Sequence, residues 1–239
     1  MLTDTISASN LSIGFGPHTV VSDIEFATSP GALVVLIGTN GSGKSTLLKT
    51  LAGILAPVSG DITVLGEKPG NSPRRVAYLP QHPFSTHTLP LRVRDVVAMG
   101  RFAHLGLFKQ ESKTDRKIVQ TSLERTAAVE FAEEPLRDLS TGQQQRAHLA
   151  QVLTRQAEVL LLDEPTAGLD INGRKLVAEI IASERERGVT VVMATHELQD
   201  AEHANTVMLL AQRVVSLGDP TVALEDKYLR ECFGFTQPH

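Results

Sequence analysis

The spacing of apolar and polar positions changes several times along the chain, and each change predicts a new element of secondary structure. Residues 6–28 alternate around a glycine-rich turn, which predicts an antiparallel hairpin. The continuous apolar run at 32–37 predicts a strand buried on both faces. Leu47, Leu48 and Leu51 then follow at helical spacing. The first part of the chain therefore predicts a hairpin, a buried strand and a helix, in that order.

The remaining strands and helices follow the same two periodicities. Strand patterns occur at 62–65, 75–79, 158–163, 189–195, 205–210 and 213–218. A helix is predicted at about 173–187, with Gly188 placed to end it. Buried strands that alternate with helices predict an α/β fold with a mostly parallel sheet covered on both faces.

One long stretch departs from this alternation and suggests a subdomain. From about residue 92 the sequence becomes rich in charged residues, Gln and Ala at helical spacing. We therefore expect one domain over 1–239, with a core of 1–90 and 156–239 and an inserted helical subdomain at 91–155.

Composition narrows the class of protein. The chain has 239 residues, 41% of them hydrophobic and 21% charged, which suits one large folded domain rather than a disordered chain. The net charge of -4, without a Lys/Arg-rich run, gives no support to nucleic-acid binding. The single cysteine, Cys232, excludes a disulfide within the chain and suits a reducing compartment. Neither a signal peptide nor an apolar run of membrane-spanning length is evident, so any work at a membrane would need a partner.

A glycine-rich segment carries the first candidate chemistry. It matches the phosphate-binding pattern G-x-x-x-x-G-K-S and comprises Gly38, Thr39, Asn40, Gly41, Ser42, Gly43, Lys44, Ser45 and Thr46. Glycines let successive N–H groups point at phosphate oxygens, and the following helix adds the positive end of its dipole. Lys44 is expected to reach the β- and γ-phosphates and Ser45 to bind Mg²⁺. An ordinary glycine-rich turn is the alternative, but the strand before it and the helix after it favour the phosphate site.

Two adjacent carboxylates end the apolar run at 159–162. In open α/β sheets ligands bind at the carboxyl ends of strands, so Asp163 is expected to support the Mg²⁺ shell. Glu164 is expected to act as general base on an attacking water. A strand that merely turns polar at its end is the alternative, and the upstream phosphate loop argues against it.

Residues 139–143, with the sequence LSTGQ, resemble the signature of ATP-binding-cassette (ABC) ATPases. The commonest form of that signature has Gly where Thr141 stands. The resemblance extends from Phe15 to about Phe233, and Gln81, Asp170 and His196 complete the set of motifs. It implies a P-loop NTPase core with an N-terminal antiparallel β subdomain, and hydrolysis of ATP with Mg²⁺.

The resemblance also implies a role for each motif residue. Phe15 would stack on adenine, although packing within the hairpin is the alternative. Gln81 would touch Mg²⁺ and water and link the core to the helical subdomain. Asp170 matches the D-loop aspartate, and His196 matches the switch histidine that contacts the γ-phosphate.

In the family, the signature of one subunit covers the ATP bound by another. The resemblance therefore implies that Ser140, Gly142 and Gln143 contact ATP on a second chain, in a head-to-tail dimer that we expect to be a homodimer. That dimer would close on ATP and open after hydrolysis. Thr141 adds a hydroxyl and a β-branch close to the partner's γ-phosphate, and we expect it to be tolerated with altered affinity or rate.

The resemblance further implies a separate, peripheral subunit at the cytoplasmic face of the membrane. It would dock on transmembrane permease subunits, in a system with an extracytoplasmic substrate-binding protein, and import is favoured over export. Residues 93–102 resemble the same stretch in bacterial metal-related importers. Zinc or manganese is favoured over iron-siderophore, haem or cobalamin by the segments 104–108, 113–116, 207–210 and 213–218.

Two other classes of protein and a metal site are the alternatives to this interpretation. Soluble ABC ATPases of DNA repair or translation carry coiled-coil insertions or two cassettes, and a P-loop kinase would lack the signature; this chain fits neither. The eight histidines include His82, His87 and His104 in the region expected to face the permease. Their spacing matches no tight metal pattern, so scattered surface histidines are the favoured interpretation.

Overall fold

Two β-sheets organise the molecule. A computed structural model describes residues 4–81, 91–105 and 111–234. Three strands form an antiparallel sheet in the order β2-β1-β4: β1 (Ile6–Phe15), β2 (His18–Thr28) and β4 (Ser59–Val64). Six strands form a second sheet in the order β5-β6-β7-β3-β8-β9: β3 (Leu33–Gly38), β5 (Val76–Leu79), β6 (Val159–Asp163), β7 (Thr190–Thr195), β8 (Thr206–Leu210) and β9 (Val214–Gly218). All pairings of the larger sheet are parallel except that of β8 with β9.

Helices connect and cover these strands. They are α1 (Lys44–Leu51), α2 (Val93–Met99), α3 (Phe102–Leu105), α4 (Lys113–Arg125), α5 (Thr141–Leu153), α6 (Ile171–Glu186), α7 (Pro220–Ala223) and α8 (Asp226–Phe233). Polar side chains cap the start of four of them. Ser112 and Ser140 form capping boxes at α4 and α5, Asp170 caps α6, and Asp219 caps α7. Each cap satisfies backbone N–H groups that lack a partner within the helix.

The six-stranded sheet separates two apolar cores. Along β3, Val34 and Leu36 face the core that contains α1 and the antiparallel sheet. Val35 and Ile37 face the opposite core, which contains residues of α5, α6 and α8. This alternation follows from the period of two along a strand. The predicted α/β fold, with a mostly parallel sheet covered on both faces, is confirmed.

Residues from α2, α4 and α5 enclose a third apolar cluster of their own, which includes Val93, Val97, Leu123 and Ala147. A buried carboxylate ties this helical segment to the core. The Oε1 atom of Glu184, on α6, accepts a hydrogen bond from Nη1 of Arg125, at the end of α4, at 2.5 Å.

The structure differs from the sequence-based expectation in three places. Strand β4 spans Ser59–Val64, because these residues pair with β1. The short helices α7 and α8 follow the last strand and were not predicted, because helices of so few turns show little periodicity in the sequence. Cys232 of α8 is buried, and its thiol donates a hydrogen bond to the carbonyl of Leu210. The histidines are not all at the surface, because His148 of α5 is buried, and burial lowers its pKa. His82 and His87 lie outside the described residues.

Candidate nucleotide-binding site

The phosphate-binding loop joins β3 to α1, at the carboxyl end of the sheet. Gly43 has φ 111°, in the left-handed region that favours glycine. A Cβ at Gly43 would lie 2.4 Å from Cγ2 of Val21, and a Cβ at Gly38 would lie 2.1 Å from the carbonyl oxygen of Leu210. These two positions cannot take a side chain without rearrangement. The glycines therefore allow the loop to pack tightly against β2 and β8.

Lys44 begins α1, and its ammonium group lies within the curl of the loop. Its Nζ donates to the carbonyl oxygens of Gly38 at 2.7 Å and Thr39 at 3.1 Å. Burial lowers the pKa of Lys44, and the nearby carboxylates of Glu164 and Asp163 oppose that shift. Burial favours the neutral amine over the ammonium. An anion bound in the loop would act in the opposite direction and stabilise the charged form.

Asp163 ends β6 and accepts two side-chain hydrogen bonds. Ser45 Oγ donates to its Oδ1 at 3.1 Å, and the Tyr78 hydroxyl donates to its Oδ2 at 3.3 Å. Burial, followed by the charge of Asp163, raises the pKa of Tyr78, so its phenol stays protonated. Sequence reasoning placed Ser45 and Asp163 together but missed Tyr78. Only the parallel register of β5 and β6 brings that side chain to the site.

Glu164 follows directly and leaves the strand geometry. Its φ of 52° is left-handed, and its backbone N–H donates to the carbonyl of Ala194 at 2.9 Å. Its buried carboxylate oxygen Oε2 lies 2.8 Å from Nδ1 of His196, which follows β7. The change in backbone conformation lets Asp163 and Glu164 line the same cavity although they are consecutive residues.

A cavity of about 480 Å³ collects most of the predicted site residues. Phe15, Gln81, Asp163 and Glu164 line it together with residues 40–46. Phe15 is 52% exposed, which argues against a role in hairpin packing.

The residues of the signature and Asp170 lie outside this cavity. Ser140, Gly142, Gln143 and Asp170 line a separate cavity of about 640 Å³, which shares no lining residue with the first. Ser140 and Gln143 bond to each other in the capping box, where Gln143 N–H donates to Ser140 Oγ at 3.3 Å and Ser140 N–H donates to Gln143 Oε1 at 3.0 Å. Asp170 Oδ1 accepts from the N–H of Gly173 at 2.8 Å. The structure therefore does not bring these four residues to the phosphate loop of their own chain.

Two further side chains connect the segments that carry the predicted site residues. Sequence reasoning did not identify these two side chains. The buried amide of Gln145, on α5, donates to the carbonyls of Glu164 at 3.3 Å and Pro165 at 3.0 Å. Arg174, on α6, pairs with Glu197 at 2.6 Å and donates to the carbonyl of Leu169 at 3.4 Å. Nothing in the local sequence marks either residue, because the partners Glu164, Pro165 and Glu197 lie 19 to 23 residues away along the chain.

The donor set of the first cavity suits a metal ion held jointly with phosphates. Within residues 4–81, 91–105 and 111–234, no group of three or more His, Cys, Asp or Glu side chains is placed to hold a metal alone. Mg²⁺ usually binds through one or two carboxylates together with substrate phosphates, and here Asp163 offers one carboxylate beside the hydroxyl of Ser45. The buried hydroxyl of Ser42 has no hydrogen-bond partner among the described residues, as expected of a group that faces a bound anion.

Comparisons with known proteins agree with this geometry. The sequence model described as "ABC transporter" matches residues 21–167. The manganese transport system ATP-binding protein of Halalkalibacterium halodurans is 33% identical, over 91% of this chain and 87% of that protein. The zinc transport system ATP-binding protein of Treponema pallidum is 32% identical, over 96% and 86%. A solved structure, described as an inward-facing metal-chelate type ABC transporter, matches with a TM-score of 0.83 and 28% identity, over 97% of this chain and 90% of that one.

The fold and the site thus define a P-loop ATPase, and the chain belongs to the ABC transporter family. It is an ATP-binding subunit of the kind that hydrolyses ATP for transport. Subunits of this kind work with membrane permease components. Among the described residues, no helix has the length and apolar character needed to cross a membrane.

Proposed function

We propose that this chain is the peripheral ATPase of a bacterial importer for metal ions, zinc or manganese, at the cytoplasmic face of the membrane. The names of two relatives, which specify manganese and zinc transport, support this cargo. The alternative is an importer of iron-siderophore, haem or cobalamin. The relatives named for manganese and zinc transport favour the metal-ion importer over this alternative. An extracytoplasmic binding protein would deliver the cargo to the permease.

Binding of ATP is assigned to one end of the sheet. Phe15 would stack on adenine, residues 38–46 would surround the phosphates with N–H groups, and Lys44 would turn from the loop carbonyls to the β- and γ-phosphates. Ser45, Asp163 and Gln81 would hold Mg²⁺, which neutralises charge on the phosphate oxygens when it is bound.

Hydrolysis is assigned to the Glu164–His196 pair, whose 2.8 Å contact is the observation that carries the proposal. Glu164 would take a proton from water as the water oxygen attacks the γ-phosphorus, and ADP would leave with the electron pair of the broken P–O bond. His196 would orient the Glu164 carboxylate and contact the γ-phosphate.

A second chain would complete the site. The signature cavity is separate from the nucleotide cavity, which supports a role for Ser140, Gly142 and Gln143 toward the ATP of another subunit. The amino end of α5 presents N–H groups and a positive dipole, which suit a phosphate. We infer a head-to-tail homodimer with two ATP molecules, in which Asp170 lies at the interface.

The division of the chain into a nucleotide-binding core and a helical subdomain remains a prediction. We assign residues 1–90 and 156–239 to the nucleotide-binding core and 91–155 to a helical subdomain. The separate apolar cluster of α2, α4 and α5 supports this division. Gln81, directly after β5, would link the two parts.

The central experiment is Glu164→Gln. We expect ATP to bind with near-normal affinity while steady-state hydrolysis falls at least about a hundredfold, because a positioned base contributes that much. Light scattering should also show ATP-dependent dimers that persist in the variant. Glu202→Gln, at an exposed position after β7, is the control and should keep wild-type turnover. Unchanged hydrolysis in Glu164→Gln would remove Glu164 as the base.

The cargo needs its own test. The chain would be co-purified with its permease in detergent, reconstituted in liposomes, and supplied with ATP on the side of this subunit. We expect ATP-driven movement of Mn²⁺ or Zn²⁺. Transport of a ferric siderophore, haem or cobalamin with no movement of the free ions would favour the alternative.

A further inference from the structure

Tyr78 carries a hydroxyl group at the edge of a buried apolar core. It lies on β5 opposite Leu161 of β6 in a parallel register, and its ring packs against the core on the α1 side of the sheet. Asp163 is two residues beyond Leu161 on the same face. The register therefore directs the Tyr78 hydroxyl to Asp163 Oδ2, at 3.3 Å.

The two oxygens of Asp163 are held by two different donors. Ser45 Oγ bonds Oδ1 and Tyr78 bonds Oδ2. In the proposed function Ser45 becomes a Mg²⁺ ligand, so its hydroxyl would also have to serve the metal. The phenol has no such second task. Groups that bond a metal ligand from behind fix its orientation and tune its basicity.

We propose that Tyr78 is a positioning residue for the metal site: its phenol orients the carboxylate of Asp163 toward Mg²⁺. This inference rests on the proposed function, because it presupposes that Asp163 supports the metal bound with ATP.

The placement of β5 adds a second consequence. This strand has four residues and lies at the edge of the sheet, next to β6. Pro80 and Gln81 follow directly after it. The Tyr78–Asp163 bond therefore ties the strand that precedes Gln81 to the strand that ends in Asp163. This hydrogen bond adds to the backbone pairing of β5 with β6, and so helps to hold the two proposed Mg²⁺-facing residues near each other.

A purely structural tyrosine is the competing explanation, and Tyr78→Phe separates the two. Phenylalanine keeps the ring packing and removes only the hydroxyl. We expect the Mg²⁺ concentration that gives half-maximal ATPase activity to rise about tenfold, as is typical when the support of a metal ligand is removed. The melting temperature and the metal-free affinity for ATP should stay close to the wild-type values.

The chain offers a matched control, because it has two tyrosines and no tryptophan. Tyr228 lies on α8 with its ring against Lys227, away from the nucleotide cavity. Tyr228→Phe should keep the wild-type Mg²⁺ dependence. An unchanged half-saturation in Tyr78→Phe overturns the inference, and so does a lowered melting temperature without a change in Mg²⁺ dependence. If the wild-type chain does not hydrolyse ATP at all, the proposed function fails first, so the two failures are distinguishable.

Discussion

Removal of the buried charge of Glu184 gives a sharp test of how the helical segment is held to the core. The Glu184 side chain is 4% exposed and accepts hydrogen bonds from Arg125 at 2.5 Å and Arg187 at 2.9 Å. Arg125 ends α4 and Arg187 follows α6. One carboxylate therefore joins two parts of the molecule that otherwise pack in different apolar clusters.

The expected loss in the free energy of unfolding depends on how exposed Glu184 and its two arginine partners are. Breaking a buried ion pair by removing one charge costs about 3–5 kcal/mol, because the other charge stays buried without compensation. Here the arginines are 26% and 50% exposed, so water can solvate them again after the change. For Glu184→Gln we therefore expect a loss of about 2–3 kcal/mol. In a domain of this size, that lowers the melting temperature by roughly 5–10 °C.

The assay is thermal unfolding followed by circular dichroism without nucleotide. Glu186→Gln, two residues further on the same helix and exposed, is the control and should shift the melting temperature by less than about 2 °C. Raised salt should preserve most of the difference, since a buried pair is weakly screened. Equal melting temperatures for the two variants would show that Glu184 does not hold the helical segment to the core.

Three further outcomes are expected. Phe15→Ala should weaken ATP binding about tenfold in titration calorimetry, because base stacking on an aromatic ring contributes about 1–3 kcal/mol, while Phe15→Tyr should bind normally. Gly43→Ala should abolish binding of a fluorescent ATP analogue, because φ 111° and the close valine methyl exclude a Cβ; normal binding would contradict the loop geometry. Hydrogen bonds from Ser112, and then from Arg101, lower the pKa of Asp115 to about 2, so its contribution to stability is complete above about pH 4 and lost as the pH falls through 2. Asp115→Asn should therefore be less stable at neutral pH and show a flatter acid limb in pH-dependent unfolding, and an unchanged acid limb would contradict that assignment.

Much of the site could be predicted because its chemistry is local. The phosphate loop needs glycines at Gly38 and Gly43 and a lysine at the start of a helix, all within one short segment. The pair Asp163 and Glu164 is recognisable because an apolar strand ends in two carboxylates. In each case the residue types and their spacing indicate both the backbone geometry and the charge of the site. The sequence by itself therefore determined the family and the class of reaction.

The tertiary structure decided which distant side chains meet. The bond from Tyr78 to Asp163 depends on the parallel register of two strands that are far apart in sequence. The contact of Glu184 with Arg125 depends on the tertiary structure, which brings the end of α4 beside the last turns of α6. Periodicity reports which face of an element is buried, but it carries no information on what that face touches. The register and the packing are set by the whole core, and only the folded chain shows them.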